Sequence, residues 1–359
     1  MSAAPQPLKS VIDERVEVSA PSTSDEEWRY SRIGELDLAR WTVPTEPGST
    51  AVDLSDVIAA AGAGASVVQV RDGFVVDVQV HADAEAAGVR IGTASELGDV
   101  VQPGAVMSTP TDLFAALNTA VTPDAVVVDV PRGCDAPGPV VVLSSTTIDG
   151  ATVAPRLVVR AGENASVTVI EVQSSADVAA LVAPVTEIEV GPAARVRYSV
   201  LQDLGPRVWQ IGTLATSVDR DGTLHAGIAA LGGEYARLRT DCRLAGPGAS
   251  GNLSSVYFAE GEQMLDLRTF QLHDAPHTNS NLLFKGAVAD AAHSVYTGMI
   301  RIGHEARGAN AFQTNRNLKL SEQAWAESVP NLEIEHNDVR CSHASMVGPV
   351  DEDQRFYLE

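Results

Sequence analysis

Cysteine is scarce in this chain: three residues of 359, Cys134, Cys242 and Cys341, each far from the next. An odd number at such spacing excludes a disulfide framework and a local Cys-x-x-Cys zinc site, and fits a reducing cytoplasm. Aromatic residues make up 5% of the chain, so the core must be built from small and β-branched side chains. Positive charge is short as well. Lys and Arg number 25 against 47 Asp and Glu, a net charge of −22, which sets nucleic acid and anionic membranes aside as partners. No apolar run approaches the roughly 20 residues of a membrane span. The start, Met1-Ser-Ala-Ala-Pro-Gln-Pro7, has neither the basic opening nor the apolar stretch of a signal peptide. A Gly-x-x-x-x-Gly-Lys-Ser/Thr phosphate loop is missing, and so is any nucleophile–base–orienter grouping. The expected chemistry is ligation, not turnover.

What is present falls into three parts. Residues 1–24, rich in Pro, Ser and Ala, are expected to be flexible. Residues 25–122 form an N-terminal mixed domain. It opens on Asp25-Glu-Glu-Trp-Arg-Tyr30, a short helical pattern with Trp28 and Tyr30 as core anchors. Within it, Asp53–Ala60 reads as a short helix, and Val67–Val80 as two strands around the Asp72-Gly73 turn. Thr111–Ala120 is the clearest helix, with a Thr-Asp start and Pro123 beyond its end.

From residue 123 to 359 the hydrophobic period is two. Val126–Val130, Leu157–Arg160, Arg195–Leu201, Thr223–Ala230, Leu238–Leu244 and Ser294–Ile302 are among the runs that read as strands, punctuated by glycines. Roughly two hundred residues of uninterrupted β pattern is long for one sandwich and ordinary for a β-solenoid, in which each rung buries the next.

Near the end, Val339, Cys341 and His343 share one strand phase, and Leu332, Ile334 and His336 another. At about 3.3 Å per residue, Cys341 and His343 lie about 7 Å apart on one face, a thiolate–imidazole pairing that soft or borderline metals accept. The alternative is a buried thiol beside a histidine satisfied by a carbonyl. Cys242 is in phase with Leu238 and Leu244 and opposite Arg237, Arg239 and Arg243, the pattern of an inward residue. Cys134 lies in a loop and reads as structural. His273 and His277 flank a proline turn. With His343 they could serve a metal-dependent enzyme on a cupin-like β-sandwich, although no acidic partner groups with them.

Ser328-Val-Pro-Asn-Leu-Glu-Ile-Glu335, Asp338-Val-Arg-Cys-Ser-His-Ala-Ser345 and Asp351-Glu-Asp-Gln-Arg-Phe-Tyr-Leu358 resemble the C-terminal core of the SufB/SufD family. Its members are the paired scaffold subunits of the SUF iron-sulfur cluster assembly system. Leu282-Leu-Phe-Lys-Gly286 and Phe114-Ala-Ala-Leu-Asn-Thr-Ala120 resemble family segments too. The resemblance implies a right-handed parallel β-helix and a non-catalytic scaffold in the cytoplasm. It also implies pairing with SufB through the β-helix edge and with the SufC ATPase, and a possible homodimer in isolation. By the same resemblance His343, with Cys341 as auxiliary, would meet SufB ligands across the interface to hold iron or a nascent cluster, with no cofactor held tightly by the isolated chain. Cys242 would be a sulfur relay site. Asn315, where SufB-like chains carry a cluster cysteine, and the Ser342 and Ala344 neighbours of His343, make the chain SufD-like. The family's C-terminal helical domain, which docks SufC, is expected to be absent, since the sequence stops at Glu359.

Overall fold

The computed structural model describes residues 4–98, 101–351 and 355–357. The chain alternates between two sheets of parallel strands and forms a β-solenoid of about eight turns. In the second half the alternation is regular. Tyr235–Leu244, Met264–His273, His293–Ile302 and Trp325–Ile334 add in turn to one sheet. Thr223–Ala230, Ser250–Ala259, Asn279–Val288, Asn310–Lys319 and Arg340–Pro349 add to the other. The parallel pairing sets aside the cupin-like alternative, whose two sheets would be antiparallel.

Alternation along each strand sorts the residues. Leu224, Ala226, Ile228 and Ala230 point inward, and Thr223, His225, Gly227 and Ala229 outward. Inward columns of Val, Leu, Ile and Ala then stack rung on rung into the main core, with a separate small cluster of Ile300, Ile302 and Ala311 at the last turns. Each fully buried Val, Leu or Ile contributes about 1.5–3 kcal/mol, so sparse aromatics cost the fold little.

The N-terminal part lies on this scaffold. Ser66–Arg71 pairs in parallel with Val140–Thr146 and, across the Asp72-Gly73 turn, antiparallel with Phe74–Gln79. Arg90–Thr93 pairs antiparallel with Val126–Val130. The helix Leu113–Val121 is capped by Asp112, whose carboxylate accepts from the Phe114 and Ala115 amides at 2.9 Å. Asn118, in the segment resembling the family, donates to the Pro155 and Ala183 carbonyls at 2.9 and 2.8 Å and so ties that helix to two successive turns.

Within the first 24 residues, Leu8–Arg15 is a helix with Leu8 and Val11 buried. Trp28 is buried against Phe114, but Tyr30 is exposed and anchors nothing in the core. Arg237 and Arg239 also differ from a free outward face. Arg237 lies under the Trp28 ring, 4.1 Å from its centroid, and pairs with Asp266; Arg239 pairs with Glu27 at 3.1 Å. Periodicity predicts their outward phase; the covering segment more than two hundred residues earlier hides them.

No helix among the described residues is long and apolar enough to cross a membrane. After Pro349 the described residues form no helical domain; Arg355–Tyr357 is helical. Glu352–Gln354 and Leu358 of the last resembling block lie outside the described residues.

Candidate functional site at the open end of the solenoid

The two final strands, Trp325–Ile334 and Arg340–Pro349, belong to facing sheets and are joined through the Asn337-Asp338 bend. Among the described residues each is paired on one side only. Register carries the inward phase onto this end. Leu332 and Ile334 continue the columns of Ile300 and Ile302, which are fully buried, yet stand exposed themselves. Cys341, His343, Ser345 and Val347 continue those of Ala311, Gln313, Asn315 and Asn317. Cys341 and His343 therefore share a face, as their spacing predicts, and that face is the lumen side of an unfinished turn. Cys341 is half-buried against Ile300, Ile302 and Ala311, and burial raises its thiol pKa above the ordinary value. His343 is exposed.

The rung beneath is polar and tied across the lumen. The Tyr296 hydroxyl donates to Gln313 Oε1 at 3.2 Å, and Gln313 reaches toward the Asn331 carbonyl at 3.5 Å. Asn315, Asn317 and Tyr257 close a ring of hydrogen bonds. Asn315 donates to the Tyr257 oxygen at 2.8 Å, the Tyr257 hydroxyl donates to Asn317, and Asn317 donates to Asn315 at 2.7 Å. Every member has both a donor and an acceptor role in this ring, which ties Asn315 into the lumen as a structural element. Sequence reading missed the ring because its members lie on strands about sixty residues apart; a polar residue at successive inward positions of Asn310–Lys319 was the available signal.

The remaining candidates are dispersed. Cys242 is 1% exposed within the main core, where a side chain at Gly251 would press on its sulfur. Burial pushes its thiol up to about 11, so it is protonated at neutral pH. Cys134 is half-buried in its loop; all three thiols are free. His273 lies inside the lumen, with Nδ1 2.8 Å from Thr278 Oγ1 and Nε2 2.8 Å from Ser280 Oγ. Thr278 donates onward to the Ala275 carbonyl and Ser280 accepts from Gln271. Those donors assign the imidazole proton to Nδ1 and engage the Nε2 lone pair. His277 sits in an exposed turn with φ +59°. No group of three or more His, Cys, Asp or Glu able to hold a metal occurs among the described residues. Cys341 and His343 put two potential donor atoms on one face, fewer than the three or four protein ligands of an ordinary zinc-type site.

The comparisons with known proteins converge on one family. The family model described as "SUF system FeS cluster assembly, SufBD core domain" matches residues 143–359. An iron-sulfur cluster assembly SufBD family protein of Mycobacterium leprae is 34% identical over 260 residues, 69% of this chain and 65% of the relative. Its Mycobacterium tuberculosis counterpart is 33% identical over 258 residues, 69% of this chain and 64% of the relative. One from Staphylococcus epidermidis is 28% identical over 247 residues, 68% of this chain and 53% of the relative. The matched region thus spans less than two thirds of these relatives' own length. The matched core takes in the open end, Cys341, His343 and the lumen ring, and the chain belongs to the SufBD family of iron-sulfur cluster assembly proteins.

Proposed function

We propose that this chain is a SufD-like, non-catalytic scaffold subunit of the SUF system, working in the cytoplasm with SufB and the SufC ATPase to build and transfer nascent clusters. The observation that carries this reading is the unfinished last turn. Two ten-residue parallel strands each have one edge without a partner strand among the described residues, and the second presents Cys341 and His343 on the lumen side. An open parallel edge is a template for strand addition, and a half-complete ligand pair there suits a site shared between two chains. His343 is the principal ligand for iron or a nascent cluster, and Cys341 the auxiliary. Asn315 supports the SufD over the SufB reading, since its amide is spent on the ring with Tyr257 and Asn317. Cys242 stays a lesser candidate for sulfur relay, because a protonated thiol closed in by the core is a poor acceptor.

The test is co-purification with the cognate SufB and SufC, followed by anaerobic reconstitution of wild type and His343→Ala. A stable complex that loses cluster formation in the mutant supports the scaffold and the ligand together. Unchanged reconstitution discards His343 as ligand, and absence of any complex discards the SufD role.

A further inference from the structure

The outward face of the sheet that ends in Arg340–Pro349 begins under cover. Leu54, Val57, Ile58 and Ala61, in and beside the helix Ser55–Ala61, pack on Val67, Val141, Leu143 and Val172. Ile170 and Leu201 lie at the margin of that contact. Past them the same columns run on uncovered: Ser199, Gly227, Ser254 and Leu283 in one, and Leu201, Ala229, Val256, Lys285, Arg316 and Met346 in the other. Gly227 and Ala229 strip one rung of bulk. The result is a trough of about 540 Å³, bounded by Leu201 on one side and by Val256 and Leu283 on the other. Val256 is 59% exposed.

Charge on this face inverts that of the chain. At the outward positions of the six strands from Arg195–Asp203 to Arg340–Pro349, Asp203 is the one carboxylate, against Arg195, Arg197, Lys285, Arg316 and Arg340. On the opposite sheet Arg237, Arg239, Arg243 and Arg301 all have acidic partners. Arg195, Arg197, Lys285, Arg316 and Arg340 have none among the described residues. Lys285 and Arg316 even stand directly opposite each other in register. Like charges so placed repel, a cost that a bound carboxylate offsets.

We propose that this face docks a short amphipathic helix of another protein, apolar on the side that enters the trough and acidic on its flanks. The chain carries the template for such an occupant: its own helix Ser55–Ala61 covers the first rungs with an apolar side and has Asp53 and Asp56 beside it. At a screening length of about 8 Å in physiological salt, a short helix feels mainly the local cations. A long polyanion or a membrane meets the net charge of −22 as well. The proposal is independent of the SufD reading and of the open edge.

The test uses the full chain alone and fluorescence anisotropy of a labelled synthetic helix with Leu on one face and Glu on its flanks. The comparison probes are the same peptide with Leu replaced by Ser, a single-stranded oligo-dT and phosphatidylserine vesicles. Saturable binding of the Leu/Glu peptide is expected. It should weaken roughly tenfold in Lys285→Glu with Arg316→Glu and in Val256→Asp, and stay unchanged in Arg243→Glu on the opposite sheet. No saturable binding up to millimolar peptide, equal binding by the face variants, or binding of oligo-dT or vesicles that those variants abolish would each overturn it. Because SufB and SufC are absent, failure here leaves the reconstitution outcome untouched.

Discussion

The ring of Tyr257 occupies the space that a side chain at Gly286 would need. The two residues are register partners on adjacent rungs, and a Cβ on Gly286 would overlap the aromatic ring. The bare rung lets the Tyr257 hydroxyl pass over it to Asn317, two rungs from its own strand. Gly286→Ala is therefore expected to cost about 1–3 kcal/mol, the usual range for overpacking. Tyr257→Phe, which keeps the ring and orphans two buried amide groups, should cost about 1–3 kcal/mol by a different route. Denaturant titrations of both variants check this. If Gly286→Ala matched wild type, the close stacking of the two rungs would be wrong.

His273 makes stability depend on pH. Burial pushes its imidazole down to about 4, against an ordinary value of 6.5. Between those values the unfolded chain binds a proton that the folded chain refuses. Stability is thus complete above about pH 6.5 and falls as pH drops toward 4, by up to about 3 kcal/mol. Carboxylates add their own slopes, so the measurement is the difference between wild type and His273→Gln across that window. A parallel pair of pH–stability curves would remove the histidine from the account.

The three cysteines should separate by reactivity. Cys242 is enclosed and its thiol raised to about 11, whereas Cys341 is half-buried at the open end and Cys134 is half-buried in a loop. Maleimide labelling of native protein, read by mass spectrometry, is expected at Cys134 and Cys341 well before Cys242. Unfolding should equalise them. Early modification of Cys242 would show access to the lumen and revive its candidacy for sulfur transfer.

Trp28 should act as the clasp of the N-terminal segment. It stacks on Arg237, and beside it the Glu27 carbonyl accepts from Arg237 at 2.8 Å and from Arg268 at 3.0 Å. Trp28→Ala removes a buried aromatic, typically a loss of about 3–5 kcal/mol. Hydrogen exchange should report it as loss of protection around Glu26–Arg40 with the distal strands intact. Uniform loss across the solenoid would mean that the segment is part of its folding unit.

Much of this was legible beforehand because a solenoid writes its period into the sequence. The alternation at Thr223–Ala230 marks the observed strand, and the inward phase of Cys242 and the shared face of Cys341 and His343 follow from counting by twos. What the sequence hides is register between strands about thirty residues apart. Periodicity says that Asn315 and Tyr257 both point inward; it cannot say that two rungs align them, nor that Gly286 lies between. Concealment by distant segments is hidden as well. Arg237 reads as a surface cation until Trp28 is laid on it, and Tyr30, two residues away, misses the same surface. The helix Leu8–Arg15 is short and flanked by Pro7, so local propensity alone gave no reason to expect its docking.

In a stack whose cohesion passes from neighbour to neighbour, the end member has half the neighbours of any other. The turn that carries Cys341 and His343 is therefore the one whose order depends most on what is dissolved around it. By mass action, any binder of that edge stabilises it in proportion to the logarithm of its free concentration. Cys341 and His343 would then be held firmly only when such a binder is abundant, and loosely by the chain alone.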